Sequence, residues 1–268
     1  MPHILVFDSG IGGTSVLSHL KKRIPYARYS YVMDNALLPY GLQSQETIKS
    51  RLISLLAWLD NTNQSVDVIV IACNTASTYA LDTARQYTTT PIVGVVPAIK
   101  PAAISSVRKH IGLLATPATS KNAYTANLIS NFASDCQVDI YHTTELVSIA
   151  EHFHWHKCIK QDQLRSELDR LNINPGIDKL VLGCTHFPII KNALKAKLHT
   201  DVDLIDSGYA IAKRVEYLLT QHDCTYSGKN MSEVREELLA SNQNDLTHWY
   251  ATCTAAIKHC MSVELLKL

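Results

Sequence analysis

Val66-Asp67-Val68-Ile69-Val70-Ile71-Ala72-Cys73-Asn74-Thr75 is an apolar run of strand length that ends in a cysteine and turns polar, and Lys179-Leu180-Val181-Leu182-Gly183-Cys184-Thr185-His186 repeats the pattern later in the chain. Short apolar runs bounded by turn residues read as strands buried on both faces, the mark of a parallel sheet covered by helices. Each cysteine then stands at the carboxyl end of a strand, the edge at which α/β sheets bind ligands. A helix N-terminus beyond such a strand favours the thiolate.

Working outward, apolar runs at 4–7, 29–33, 92–96, 110–115, 137–141 and 202–206 join these two and alternate with segments of helical period at 46–60, 76–87 and 122–132. This βαβ rhythm predicts an α/β protein with mainly parallel sheets. In 46–60 the stripe Ile48, Leu52, Leu55, Leu56 and Leu59 lies opposite Glu46, Lys49 and Ser50, so the helix packs one face on a sheet. The segment from Ile4 to Gly13 is echoed by that from Ile111 to Ser120, which with the two cysteine strands predicts two similar domains facing across a cleft. Pro97, Pro101 and the turn Asp206-Ser207-Gly208 mark the crossings. The predicted division is 1–97 with 208–268 for the first domain and 98–207 for the second. Met231 to Ala240 reads as helical by composition and Thr247 to Cys253 as a terminal strand, neither with assigned chemistry.

A chain of 268 residues with 46% hydrophobic and 18% charged residues is an ordinary globular protein, and a net charge of +1 leaves no basic footprint for nucleic acid. Its apolar stretches fall short of the roughly 20 residues that cross a bilayer, and the N-terminus lacks a signal-peptide pattern, so a cytoplasmic location without membrane partners is expected. The seven cysteines, at 73, 136, 158, 184, 224, 253 and 260, are odd in number and include no C-x-x-C, which argues for reduced thiols and against a disulfide framework or structural zinc.

Several constellations carry possible chemistry. Phe7-Asp8-Ser9-Gly10-Ile11-Gly12-Gly13-Thr14 offers backbone amides and the Ser9 hydroxyl to an anion. It is also an imperfect dinucleotide fingerprint, with Ser15 where a third small residue belongs and Asp34 as the acidic ribose ligand; Asp8 beside the glycines would repel a pyrophosphate. Leu38-Pro39-Tyr40-Gly41 reads as a loop presenting backbone groups and a phenol. In Thr116-Pro117-Ala118-Thr119-Ser120 the hydroxyls either bind an anion or cap a helix, with Thr119 or Ser120 as the cap. Glu151-His152-Phe153-His154-Trp155-His156-Lys157-Cys158 would present three imidazoles as a strand but aligns only His152 with His156 as a helix, so no metal is expected. The polar flanks Asn74-Thr75 and Thr185-His186 place a small polar ligand between two thiols. Two such groups on opposite faces of a stereogenic carbon form a two-base device, one taking a proton while the other returns one.

These segments resemble the cofactor-independent glutamate racemases of the aspartate/glutamate racemase superfamily. The resemblance rests on Phe7 to Gly13, Pro39-Tyr40-Gly41, Ala72 to Thr75, Thr116 to Thr119, Leu182-Gly183-Cys184-Thr185-His186-Phe187-Pro188 and Leu204 to Gly208, in that order over about residues 4 to 215. It implies two α/β domains with glutamate in the cleft and racemisation without metal or pyridoxal phosphate. Cys73 would take the α-proton of D-glutamate and Cys184 that of L-glutamate. Asp8 would assist Cys73, while Glu151 and His186 would assist Cys184. Asp8, Ser9, Tyr40, Gly41, Asn74, Thr75, Thr116, Thr185 and His186 would hold the substrate. Tyr141 to Val147 lacks the cysteine-proline start seen in many relatives, which leaves Glu151 the least anchored assignment. The resemblance also implies D-glutamate supply for peptidoglycan, a homodimer, and no N-terminal extension of the kind some relatives carry, since the first strand begins by Ile4. A sister racemase acting on aspartate and a nucleotide-binding α/β protein are the competing readings.

Overall fold

The computed structural model describes residues 1–62, 64–199, 201–221, 247–252 and 263–266. The segment 231–240, read as helical, lies outside them, as do Cys224, Cys253 and Cys260.

Strands β1 (His3–Asp8), β2 (Arg28–Met33), β3 (Val68–Ile71), β4 (Ile92–Gly94), β9 (Thr247–Ala251) and β10 (Val263–Leu265) form one sheet in the order β10-β9-β2-β1-β3-β4. Strands β5 (His110–Ala115), β6 (Gln137–His142), β7 (Lys179–Leu182) and β8 (Asp203–Ile205) form a second in the order β6-β5-β7-β8. Every strand pair in both sheets is parallel. The expected α/β architecture is therefore present, and β9 is the strand anticipated from Thr247, though β10 follows it in the chain. The two sheets share a core order: β2-β1-β3-β4 in the first matches β6-β5-β7-β8 in the second.

Helices cover both faces of each sheet. In the first, α1 (Thr14–Arg23) and α10 (Gly208–Gln221) bury Leu17, Leu20, Ile211 and Val215 with Ile4, Val6, Val68 and Val70. On its other face α2 (Gln45–Asn61) and α3 (Asn74–Tyr87) bury the expected Ile48, Leu52, Leu55, Leu56 and Leu59 with Leu5, Phe7, Ile69 and Ile71. Alternate residues of a strand thus feed opposite cores, which is why these strands are apolar throughout. In the second sheet α7 (Glu145–His156) and α8 (Gln161–Leu171) cover one face, while α4 (Ile99–Ser105) and α6 (Ala123–Phe132) cover the other.

The chain passes between sheets after β4 and returns after β8. Ser207 Oγ donates to the Val96 carbonyl at 2.6 Å, tying the two crossings together. Gly208 opens α10 against α1, where a Cβ would collide with the His19 ring. Among the described residues no helix is long and apolar enough to cross a membrane.

Truncating Leu55, which is 0% exposed under the first sheet, to alanine should cost about 2–5 kcal/mol. Urea denaturation of the purified variant measures this.

Candidate active site

Parallel pairing sets the two cysteines in the same register. Ile71 pairs with Phe7 and Leu182 with Leu114. One residue further, the Ala72 amide donates to the Phe7 carbonyl at 2.8 Å and the Gly183 amide to the Leu114 carbonyl at 2.8 Å. Cys73 and Cys184 each come next, just past the carboxyl end of the strand beside the switch in strand order. Both are buried and free, and both line one cleft with Ser9, Tyr40, Gly41, Asn74, Thr75 and Thr116. Pro39, Val147, Thr185 and His186 complete its wall.

The proton partners of the two thiols differ. His186 Nδ1 lies 3.8 Å from Cys184 Sγ, and Nε2 lies 2.8 Å from Glu151 Oε1. Glu151 Oε1 also accepts from the Ile11 amide at 3.0 Å, and Oε2 from Trp155 Nε1 at 3.2 Å. Burial by itself lowers the His186 pKa, but the hydrogen bonds to Cys184 and Glu151 outweigh it and hold the imidazole well above its ordinary value. Burial likewise raises Glu151, and the His186 bond reverses that, leaving the carboxyl below its ordinary value. Cys73 has Ser9 Oγ 4.0 Å from its sulfur. Burial and then the Asp8 charge push this thiol up, and the Ala76 amide pulls it only partly back.

Asp8 is 0% exposed. It accepts from the Gly10 amide at 3.0 Å and from Thr185 Oγ1 at 3.0 Å. Burial raises it to about 6 against the opposing effects of His186 and these two donors. Its hydrogen bonds thus run to its own turn and to the opposite half, while its influence on Cys73 is that of a nearby charge. A second hydroxyl bridge crosses the cleft: Thr75 Oγ1 lies 3.1 Å from both Thr116 Oγ1 and Thr119 Oγ1. Asn74 Oδ1 is buried with no hydrogen-bond partner in the structure.

Two expectations need correction, and the discounted reading of Asp34 as a ribose ligand finds no support. The Tyr40 phenol does not face the cleft as a free donor; it donates to Asp34 Oδ2 at 2.6 Å, so this residue offers its ring and backbone instead. Asp34 is engaged by Arg51 at 2.7 and 2.8 Å and is in no position to act as a ribose ligand. The cap of the short helix Pro117–Ser120 is Thr116, whose side chain accepts from the Thr119 amide.

Gly10 and Gly12 serve close approach across the cleft. A Cβ on Gly10 would collide with Glu151 Oε1, and one on Gly12 would collide with His186 Nδ1 and stand 2.5 Å from Thr185 Oγ1. Trp155 and Val147 were missed by the sequence reading; the spacing of Trp155, four residues after Glu151 on α7, was the available signal. On the same helix His152 and His156 stack with centroids 4.3 Å apart, while His154 sits edge-on to Trp155. Among the described residues no group of three His, Cys, Asp or Glu could hold a metal ion.

Residues 14–215 match the family model described as Asp/Glu/Hydantoin racemase. A protein named glutamate racemase from Shewanella denitrificans is 50% identical over 218 residues, covering 81% of this chain and 77% of its own. Its namesake from Shewanella frigidimarina is 48% identical over 218 residues, with 81% and 83% covered. The crystal structure of Escherichia coli glutamate racemase, in complex with L-glutamate and the activator UDP-MurNAc-Ala, superposes with a TM-score of 0.79 at 37% identity, over 92% of this chain and 96% of that one.

The Asp8 proton has a consequence for stability. Folding raises this carboxyl from 3.8 to about 6, so the folded chain holds the proton more tightly than the unfolded chain. Its contribution to stability is complete below about pH 4 and is lost as the pH rises through about 6. Asp8→Asn should flatten that part of the pH profile and gain on the order of 2–3 kcal/mol at pH 7. Urea denaturation of both proteins across pH 4 to 8 checks the sign.

Proposed function

This chain belongs to the Asp/Glu/hydantoin racemase family, and from that membership we propose that it interconverts L- and D-glutamate using Cys184 and Cys73 as acid–base groups on opposite faces of the α-carbon. The observation that carries the reading is the pair of thiols at one register of two like sheets, lining one cleft. Glutamate is favoured as substrate by the Shewanella relatives' names and by the L-glutamate bound to the Escherichia coli protein.

For L-glutamate, Cys184 enters as a thiolate beside the protonated His186 imidazolium and takes the α-proton. The Cys73 thiol then delivers its proton to the opposite face, leaving D-glutamate, a Cys73 thiolate and a Cys184 thiol. D-glutamate runs the same steps backward, with Cys73 as base. The elevated His186 suits the first role, because the imidazole keeps a proton beside Sγ and Glu151 balances its charge. The raised Cys73 suits the second, since it enters as the protonated acid. Asp8, poised at about 6, accepts a proton when Cys73 must become the base.

The α-proton next to a carboxylate is a very weak acid, so the site must offset a large barrier. Fixing the substrate between rigid strand ends supplies up to about 7–11 kcal/mol when alignment is near ideal. Hydroxyls of Thr75 and Thr116 and the amides that open α3 stabilise charge developing on the α-carboxylate. The unpaired Asn74 Oδ1 is a natural acceptor for the α-ammonium group.

The same reading makes 1–97 with 208–268 and 98–207 the two catalytic domains, and includes no metal or organic cofactor in the chemistry. It extends to a cytoplasmic homodimer that supplies D-glutamate for peptidoglycan.

Circular dichroism with L-glutamate and L-aspartate distinguishes this enzyme from an aspartate-specific sister; loss of signal with L-aspartate alone would favour the sister. Cys73→Ser and Cys184→Ser should each lower racemisation by at least about a hundredfold. With a glutamate analogue bearing a leaving group on Cβ, Cys184→Ser should retain elimination from the D-enantiomer only and Cys73→Ser from the L-enantiomer only. Equal elimination from both enantiomers in both variants would break the assignment of one face to each thiol.

A further inference from the structure

Strand β9 of the first sheet reaches the substrate cleft through a buried carboxylate. Asp34 follows β2 and is 0% exposed. Its Oδ2 accepts from Tyr40 Oη at 2.6 Å and Arg51 Nε at 2.8 Å. Its Oδ1 accepts from Arg51 Nη2 at 2.7 Å and Thr252 Oγ1 at 2.8 Å. These donors fill the roughly four acceptor positions of a carboxylate, and the guanidinium balances its charge, so the group is buried without an unmet requirement.

Tyr40 and Gly41 line the cleft. Gly41 packs so closely on Thr116 that a Cβ would stand 2.8 Å from the Thr116 Cβ. Thr116 in turn shares its hydroxyl with Thr75, the second residue after Cys73. A shift of Tyr40 is therefore felt on both sides of the cleft.

Thr252 lies just beyond β9 and does not line the cleft. Its amide donates to the Met33 carbonyl at 3.1 Å, and its hydroxyl accepts from the Ala36 amide at 3.0 Å while donating to Asp34. One hydroxyl thus joins the side chain of Asp34 to the backbone two residues on. Asn35, between them, makes no hydrogen bond through its buried side-chain amide among the described residues. The conformation of 34–36 is held from the end of β9.

We propose that Thr252 is a positioning residue for substrate binding, which fixes the Tyr40-Gly41 wall of the cleft through Asp34; the inference rests on the cleft being the substrate site. Thr252→Val keeps the shape of the side chain and removes both hydrogen bonds. KM for both glutamate enantiomers should rise about tenfold, equivalent to about 1.4 kcal/mol and in the range of one lost buried hydrogen bond, with kcat within about twofold of wild type. Thr252→Ser should restore KM. Amide hydrogen exchange, followed without substrate, should quicken over residues 34–41 in Thr252→Val and return to the wild-type rate in Thr252→Ser.

An unchanged KM with unchanged exchange in Thr252→Val would overturn the proposal. So would a uniform rise in exchange across the whole first sheet, or a loss of activity that serine does not rescue, because either marks a general defect of folding. If the wild-type protein does not racemise glutamate, the functional reading falls, and the exchange experiment still decides whether Thr252 holds the 34–41 segment.

Discussion

Everything at the cleft depends on how closely the carboxyl edges of two sheets approach. Gly10 and Gly12 bring the turn after β1 against Glu151, His186 and Thr185, where any side chain would collide. That contact allows the Ile11 amide to reach Glu151 and the Thr185 hydroxyl to reach Asp8. Both thiols beside it are buried, Cys73 at 5% and Cys184 at 7% exposure. Desolvation raises the cost of every unpaired charge in the site and strengthens every pair that is made. The close approach therefore determines proton affinities as well as shape.

Within that enclosure, symmetry of backbone is combined with asymmetry of chemistry. The repeated strand order places Cys73 and Cys184 at equivalent points. Their neighbours are not equivalent. One sulfur has an imidazole whose far nitrogen rests on a carboxylate; the other has a serine hydroxyl and a buried carboxyl held at about 6. The proposed two-base reaction needs one group ready to accept a proton while its counterpart is ready to give one, and this difference suits the two thiols to those two roles. The arrangement carries a cost: an acid kept above its normal pKa by burial weakens the fold at neutral pH.

Strand β9 adds a second level of support. Placed beside β2, it completes a hydrogen-bond set around Asp34 that the first strands alone leave short of one donor. Tyr40 shows how far such support redirects an expected role. Its phenol, which composition alone places in a ligand pocket, serves the scaffold, and its ring and backbone are left to face the cleft.

Much of this was legible in the sequence because it is periodic or local. Apolar runs such as Val68–Ile71 and the stripe from Ile48 to Leu59 encode strands and a helix directly, since burial on two faces or one leaves its own spacing. The rank of Cys73 and Cys184 as facing thiols followed from their strand-end positions, and the family resemblance named Asp8, Glu151 and His186 beside them. Partners far apart in sequence were decided by the tertiary structure alone. Nothing local pairs Thr252 with Asp34, Trp155 with a first-domain core, or Thr75 with Thr119. A glycine in sequence reports only that a side chain is missing; that Gly10 and Gly12 admit a carboxylate and an imidazole from the other half depends on packing between two sheets. Secondary structure and the identity of the reactive groups are set by short-range pattern, whereas hydrogen-bond partners and proton affinities depend on which distant atoms share the same dry space.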